Sequence, residues 1–244
     1  MGSEMCIRDS FGDERQTWNY NFCQWANPFQ GLTGFSDVSG RGNLTLDGDF
    51  LRIHNFTGQY ADNEKRTAIS LFTMAGAPLA VADQYDTIGN NLSYYTNPEI
   101  LALKKEGFVG KPIYYNGTPF EPEYSGQPDT GSRDSERWIG QTSKGDWVVA
   151  LFNRSDSTVT KSIDFESILG LSYGGYVHDV WKHTNLGSMT SYSVSLRPHD
   201  VSMIIISPDR TNATAIRYEA EVASYQNGAH FNNDHTGCSG LSLI

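Results

Sequence analysis

The chain has 244 residues, 38% of them hydrophobic and 19% charged, with 24 glycines and a formal net charge of −10. This composition is that of a folded, strand- and turn-rich protein and excludes disorder; the negative charge opposes binding to nucleic-acid phosphates. No stretch approaches the roughly 20 apolar residues of a membrane span, the longest runs being APLAVA and VSMIII, so neither nucleic acid nor membrane is expected as a partner.

The opening MGSEMCIRDS has no basic segment followed by an apolar run, and it has neither the helical nor the strand period. Back-translated, it fits the end of a common transposase sequencing adapter, and the closing LSLI fits the reverse complement of that end. Residues 1–10 are therefore expected not to be native, and residues 241–244 are suspect. Of the three cysteines, this leaves Cys23 and Cys238, which have no metal or redox spacing. Six Asn-x-Ser/Thr sequons, at Asn43, Asn55, Asn91, Asn116, Asn153 and Asn212, point to a secreted protein.

Residues 11–111 mix helical and buried-strand patterns. DNEKRTAISLFTMAG reads as a helix capped by Asp62 or Asn63 and ended by Gly76. APLAVA follows as a strand expected to be buried on both faces, as in a parallel sheet. NPEILALKKEG reads as the next helix, with Pro98 in its first turn, Lys104 and Lys105 in its last, and Gly107 beyond. Helix, buried strand and helix in succession is α/β logic.

Residues 112–208 change character. RWIGQT, DWVVALFN, VTKSIDF, YVHDVWK, SYSVSLRP and VSMIIISP read as short strands separated by turn-rich gaps, which predicts an antiparallel β-sandwich. Residues 209–214 read as a linker, and 215–244 as the start of a further β module. Trp147 and Trp181 fall in alternating strand patterns and are read as core, in preference to sugar-stacking platforms; Trp25 and Trp138 are weighed in the same way. The histidines show no metal-ligand spacing.

Several phrases together resemble glycoside hydrolase family 27, which contains α-galactosidases and isomaltodextranases. RTAISLFTMAGAPLAVADQ is similar to the family's helix and last barrel strand, and YYTNPEILALKKEGFVGKP to its final helix. DGDFL, Asp47 to Leu51, resembles its Asp-Pro-Asp-Met-Leu phrase after the seventh strand, and DVW with SVSLRPHDVSMIIISP its closing β strands. The tail YEAEVASYQNGAHFNNDHTGCSG resembles the opening of a carbohydrate-binding module of family 35 or 6. The resemblance implies α/β plus all-β architecture: the C-terminal portion of a (β/α)8 barrel over 11–111, an antiparallel β-sandwich over 112–208, and a truncated β module. A whole barrel takes about 250 residues, so roughly its last third is expected here.

The same resemblance implies chemistry. Retaining glycosidases place two carboxyl groups about 5–5.5 Å apart, one a nucleophile and one an acid/base. FGDERQTW puts Asp13 five residues before Trp18, as the family spaces its acid/base, so Asp13 takes that role. The family's nucleophile sits in a Tyr-x-Lys-x-Asp phrase that does not occur here, so the chain alone is expected to be inactive. The family's Arg four residues before the acid/base is Asp9, within the adapter-like segment. Asp49, Asp47 and Phe50 match the sugar-binding phrase. Its Trp-Asn becomes Thr45-Leu46 and its Pro becomes Gly48, which leaves sugar specificity open. Glu219 and Glu221 match positions that help bind a structural Ca²⁺ in the modules, a hard cation suited to oxygen ligands; no cofactor is expected for catalysis.

Three functions follow from these residues. The first is a secreted retaining hydrolase of terminal α-galactosides; the second is a hydrolase of α-1,6-glucan (dextran); the third is a carbohydrate-binding or structural β protein without catalysis. In each case the partner is an oligo- or polysaccharide.

Overall fold

The computed structural model describes residues 29, 32, 33, 36, 45–48, 50, 51, 53, 61–86, 88–114, 133–211, 231, 232, 242 and 243. Two short strands, β1 (Phe50–Leu51) and β2 (Ala80–Val81), pair in parallel, and helix α1 (Asp62–Met74) lies between them in sequence. They make one strand–helix–strand unit, and the described residues do not close a barrel.

Helix α1 starts one residue earlier than expected. The extended residue is Ala61, so Asp62 becomes the first helical position and neither Asp62 nor Asn63 caps. Glu64 accepts a hydrogen bond from the Ala61 amide at 2.9 Å, and the two first-turn carboxylates oppose the positive end of the helix dipole. Gly76 ends the helix at φ +71°, where a Cβ would also meet Val109 at 2.6 Å. All residues from Thr67 to Met74 are buried. A stripe would suffice for a surface helix; α1 is covered on several sides.

The APLAVA segment departs from expectation. Only two of its residues form a strand, and Val81 is 47% exposed. Among the described residues β2 pairs with β1 alone, so the run has cover on one edge and no second neighbouring strand. A 3₁₀ turn (Gly89–Asn91) and the short helix α2 (Leu92–Tyr95) lead into α3 (Pro98–Lys105). This last helix has the ends its sequence calls for. Asn97 accepts from the amides of Glu99 and Ile100 at 2.9 and 3.3 Å, and Pro98 opens the first turn. At the other end Gly107 donates to Lys104 O and Phe108 to Leu103 O, a Schellman closure.

The β domain has a six-stranded antiparallel sheet in the order β3-β4-β5-β10-β7-β8, with strands at Lys111–Tyr114, Arg133–Gln141, Trp147–Phe152, Val201–Pro208, Gly175–Asp179 and Thr184–Met189. A ribbon of β6 (Val159–Asp164) and β9 (Ser191–Leu196), with helix α4 (Phe165–Leu169), forms a second layer. The central strands are buried on both faces. Trp147, Val149, Leu151, Ile204 and Ile206 point into the core shared with the ribbon and α4. Val148, Ala150, Phe152, Val201 and Met203 point into a second core shared with α1 and α3. The expected sandwich is therefore present, and its central sheet also floors the helical layer.

Six predicted strands correspond to β4, β5, β6, β7, β9 and β10. β3, β8 and α4 were not expected. β8 (TNLGSM) has no buried residue, so it carries no apolar pattern to read, and five residues are too few to show a helical period in α4. Two further two-residue strands, Phe231–Asn232 and Ser242–Leu243, pair in the C-terminal segment as β11 and β12. Among the described residues no helix is long and apolar enough to cross a membrane.

The sequon at Asn153 has a structural use. Its side chain is fully buried, its Nδ2 lies 2.7, 2.8 and 3.2 Å from the carbonyls of Ser157, Arg197 and Leu196, and its Oδ1 accepts from Ser155. This asparagine joins the end of β5 to the end of β9 and cannot present its amide to a glycosylating enzyme in the folded state.

Candidate functional site

Of the residues expected to act, Asp13, Asp49, Glu219 and Glu221 lie outside the described residues. Asp47 is exposed. Phe50 opens β1 opposite Ala80. Between them, Gly48 is buried against helix α1: a Cβ there would lie 2.4 Å from the Phe72 ring. Glycine in place of the proline of the resembled phrase is thus explained by packing, because a larger residue would collide with Phe72.

Sequence reasoning missed Asp83, two residues beyond the C-terminal end of β2. Its Oδ2 accepts from the Tyr95 hydroxyl at 2.6 Å and from the Ile53 amide at 3.1 Å. The Tyr95 oxygen also lies 3.1 Å from Leu51 O. Asp83 and Tyr95 therefore tie together the chain leaving β1, the chain leaving β2 and helix α2. The ends of parallel strands are where α/β barrels carry their sites, and this polar knot orients that edge. Burial, reinforced by the hydrogen bond to Asp83, pushes the Tyr95 hydroxyl well above the usual phenol range, so it stays protonated as a donor. The available signal was a carboxylate following an apolar strand, with a tyrosine 12 residues on. Lys104, at the end of α3, donates from Nζ to Ala77 O just before β2, and burial pushes its amine down to about 8.

The helical layer meets the sheet through two histidine–carboxylate clasps. In the first, the turn between β9 and β10 docks on the start of α1. Asn63 donates to Pro198 O at 2.6 Å, Thr67 donates to His199 O at 2.9 Å, and Arg66 faces Asp200 at 3.4 Å. His199 itself bridges Glu64 at 2.8 Å and Asp156 at 2.9 Å. The hydrogen bond to Glu64 holds its imidazole above the ordinary range; burial opposes this, and Asp156 adds to it. In the second clasp, Glu99 of α3 meets His178 of β7 at 3.0 Å and His183 at 2.6 Å, while Asn185 holds the other His178 nitrogen at 2.7 Å. His178 is likewise raised, chiefly by Asn185 and also by Glu99.

Trp147 and Trp138 are fully buried, consistent with core. Trp181 is only partly buried: it follows β7, its indole donates to Ser70 at 2.8 Å, and its ring lies 6.2 Å from that of Tyr94. It belongs to the contact between sheet and helices.

Residues 132–206 match the family described as alpha galactosidase C-terminal beta sandwich domain. The chain is 48% identical over 237 residues to an isomalto-dextranase of Arthrobacter globiformis, an alignment that takes in 97% of this chain and 35% of that protein. It is 27% identical over 173 residues to a probable alpha-galactosidase B of Talaromyces emersonii, covering 66% of this chain and 37% of that protein. Among solved structures, Arthrobacter globiformis T6 isomalto-dextranase complexed with panose superposes with a TM-score of 0.73 at 48% identity, over 87% of this chain and 34% of that one. A family-27 β-L-arabinopyranosidase from Geobacillus stearothermophilus shares the fold with a TM-score of 0.63 at 20% identity, over 82% of this chain and 44% of that one. The chain spans about a third of the length of the curated relatives it matches. The antiparallel sandwich of residues 132–206 is therefore a C-terminal β domain of the glycoside hydrolase family 27 type, the type found in α-galactosidases and isomalto-dextranase.

Proposed function

We propose that this chain is part of a secreted retaining hydrolase of α-1,6-glucan, an isomalto-dextranase type of enzyme. The observation that carries the reading is the 48% identity to isomalto-dextranase, which extends over 97% of the chain; the α-galactosidase relative reaches 27% over 66%. The Thr45-Leu46 departure from the α-galactosidase phrase supports the same choice.

In this reading Asp13 protonates the glycosidic oxygen while a carboxylate elsewhere in the longer protein attacks the anomeric carbon. The leaving sugar departs with the proton. Asp13, now ionised, takes a proton from water, which displaces the enzyme carboxylate and regenerates both groups. Asp49, Asp47 and Phe50 line the sugar pocket. No cofactor enters the chemistry, and Glu219 and Glu221 hold a structural Ca²⁺ in a carbohydrate-binding module. The substrate is an oligo- or polysaccharide.

A second reading, hydrolysis of terminal α-galactosides, is favoured by the family match of the β domain. The test compares the longer protein on dextran, melibiose and p-nitrophenyl α-galactoside. The proposal expects dextran to be the preferred substrate. Cleavage of the galactosides with dextran untouched overturns it in favour of the second reading.

A further inference from the structure

A cavity of about 240 Å³ opens where the helical layer meets the β domain, lined in part by Arg66, Asp179, Trp181, Lys182, Arg197 and Asp200. We propose that it is a second carbohydrate-binding site, apart from the sugar pocket proposed above, which takes one neutral hexopyranose unit of an α-linked oligosaccharide. The choice of an α-linked sugar rests on the hydrolase reading; the site itself rests on its lining.

The charges are paired within the wall. Lys182 lies 3.0 Å from Asp179, and Asp200 lies 3.4 Å from Arg66 and 3.6 Å from Arg197. Three cations against two carboxylates leave one positive charge in excess, and the exposed Arg197 and Lys182 side chains leave it open to solvent screening, so glucuronate and sulfate are the competitors the test must include. The two arginine contacts to Asp200 are longer than the roughly 2.7–2.9 Å of a close charge-assisted hydrogen bond. The wall therefore carries carboxylate acceptors beside guanidinium and ammonium donors, the complement of neighbouring sugar hydroxyls that each donate and accept.

Trp181 supplies the aromatic surface that pyranose C–H groups require. It is held in advance of any ligand. Asp179 accepts from the backbone amides of Trp181 and Lys182 at 3.0 and 2.9 Å, and Ser70 anchors the indole nitrogen. Pre-organisation of this kind lowers the entropy lost on binding. The volume lies below the roughly 300–1,000 Å³ of sites for drug-sized ligands, so it suits a single sugar ring with the rest of the chain outside.

The experiment follows the tryptophan indole resonances of this chain during titration with isomaltotriose, melibiose, glucuronate and sulfate, with W181F assigning the relevant signal. Arg197 and Lys182 are exposed along most of their side chains, at 70% and 69%, so R197A and K182A test the wall without risk to the fold. The proposal expects a saturable Trp181 response to the neutral sugars, weakened about tenfold in R197A, as for the loss of one charge-assisted hydrogen bond. No Trp181 response overturns it. So does a stronger response to glucuronate or sulfate than to the neutral sugars, or unchanged binding in both R197A and K182A. Turnover by the longer protein is scored separately. Dextran left uncleaved with an intact Trp181 response removes the hydrolase reading and keeps the site; cleavage without the response removes only the site.

Discussion

The Nδ1 of His199, in the turn between β9 and β10, lies 2.8 Å from Glu64 Oε1 in the first turn of α1, a contact across 135 residues of chain. Glu64 also caps its own helix through Ala61. One carboxylate therefore closes the start of the helix and fastens the β domain to it.

This clasp predicts a pH dependence. The folded state holds His199 above its ordinary pKa, chiefly through Glu64, so it binds the proton more tightly than the unfolded chain. The resulting stability is complete below the unfolded value of about 6.5 and is lost as pH rises through the folded-state pKa. His178 contributes with the same sign. Thermal melts from pH 5.5 to 7.5, below the range in which the depressed Lys104 amine loses its proton and adds stability of the opposite sign, should show Tm falling at the upper end. E64Q should lower Tm at the acid end by up to about 1 kcal/mol equivalent and flatten the slope. An E64Q slope equal to that of the parent chain would falsify the assignment.

Asn153 gives a prediction about modification and stability together. N153A removes a side chain with contacts to Ser155, Ser157, Leu196 and Arg197 in the interior. The carbonyls left without donors make the loss about 2–4 kcal/mol, measured by urea unfolding. In a glycosylating host the properly folded protein should carry Asn153 bare by mass spectrometry, because a glycan added to the unfolded chain is incompatible with the buried side chain. A glycan there in properly folded protein contradicts its buried role.

Gly48 tests the packing of the DGDFL phrase. G48A drives a methyl group into the Phe72 ring, at 2.4 Å from its Cζ, and Phe72 is only 1% exposed. Overpacking of this kind costs about 1–3 kcal/mol. The double variant G48A/F72L should recover part of that loss, and additive losses in the double variant would show that the two residues do not meet.

Asp13 carries the catalytic prediction, for the longer protein. D13N should reduce turnover of dextran, whose leaving group needs a proton, by about 10²–10⁴-fold. Activated aryl glycosides, which leave without help, should suffer much less. Equal losses on both substrates would remove Asp13 from the acid/base role.

How far the sequence could be read depended on the range of the forces involved. Helix α3 was legible to within a residue, because Asn97, Pro98, Lys104, Lys105 and Gly107 act on backbone groups no more than a turn away. The strands β5 and β10 were legible from their unbroken apolar runs. Burial was not, since it depends on what arrives from elsewhere in the chain. APLAVA has the composition of a core strand, yet Val81 is exposed, and among the described residues β2 pairs with β1 alone. β8 has the polarity of a loop, yet it pairs with β7 along its length. Of the candidate site residues, Asp47 and Phe50 fall on a described loop and strand; Asp83 had only the signal of a carboxylate after an apolar strand with Tyr95 12 residues on, and the histidine clasps had none, since Glu99 and Glu64 lie 79 and 135 residues from His178 and His199. The sequence by itself determined both ends of α3 and the C-terminal end of α1, the main strands and the sandwich class, through capping, turn chemistry and hydrophobic runs. Only the tertiary structure decided that the central sheet is buried on both faces, that Asn153 is a structural strut, and that Trp181 stands at the contact between sheet and helices, because each of these depends on the packing of segments distant in sequence.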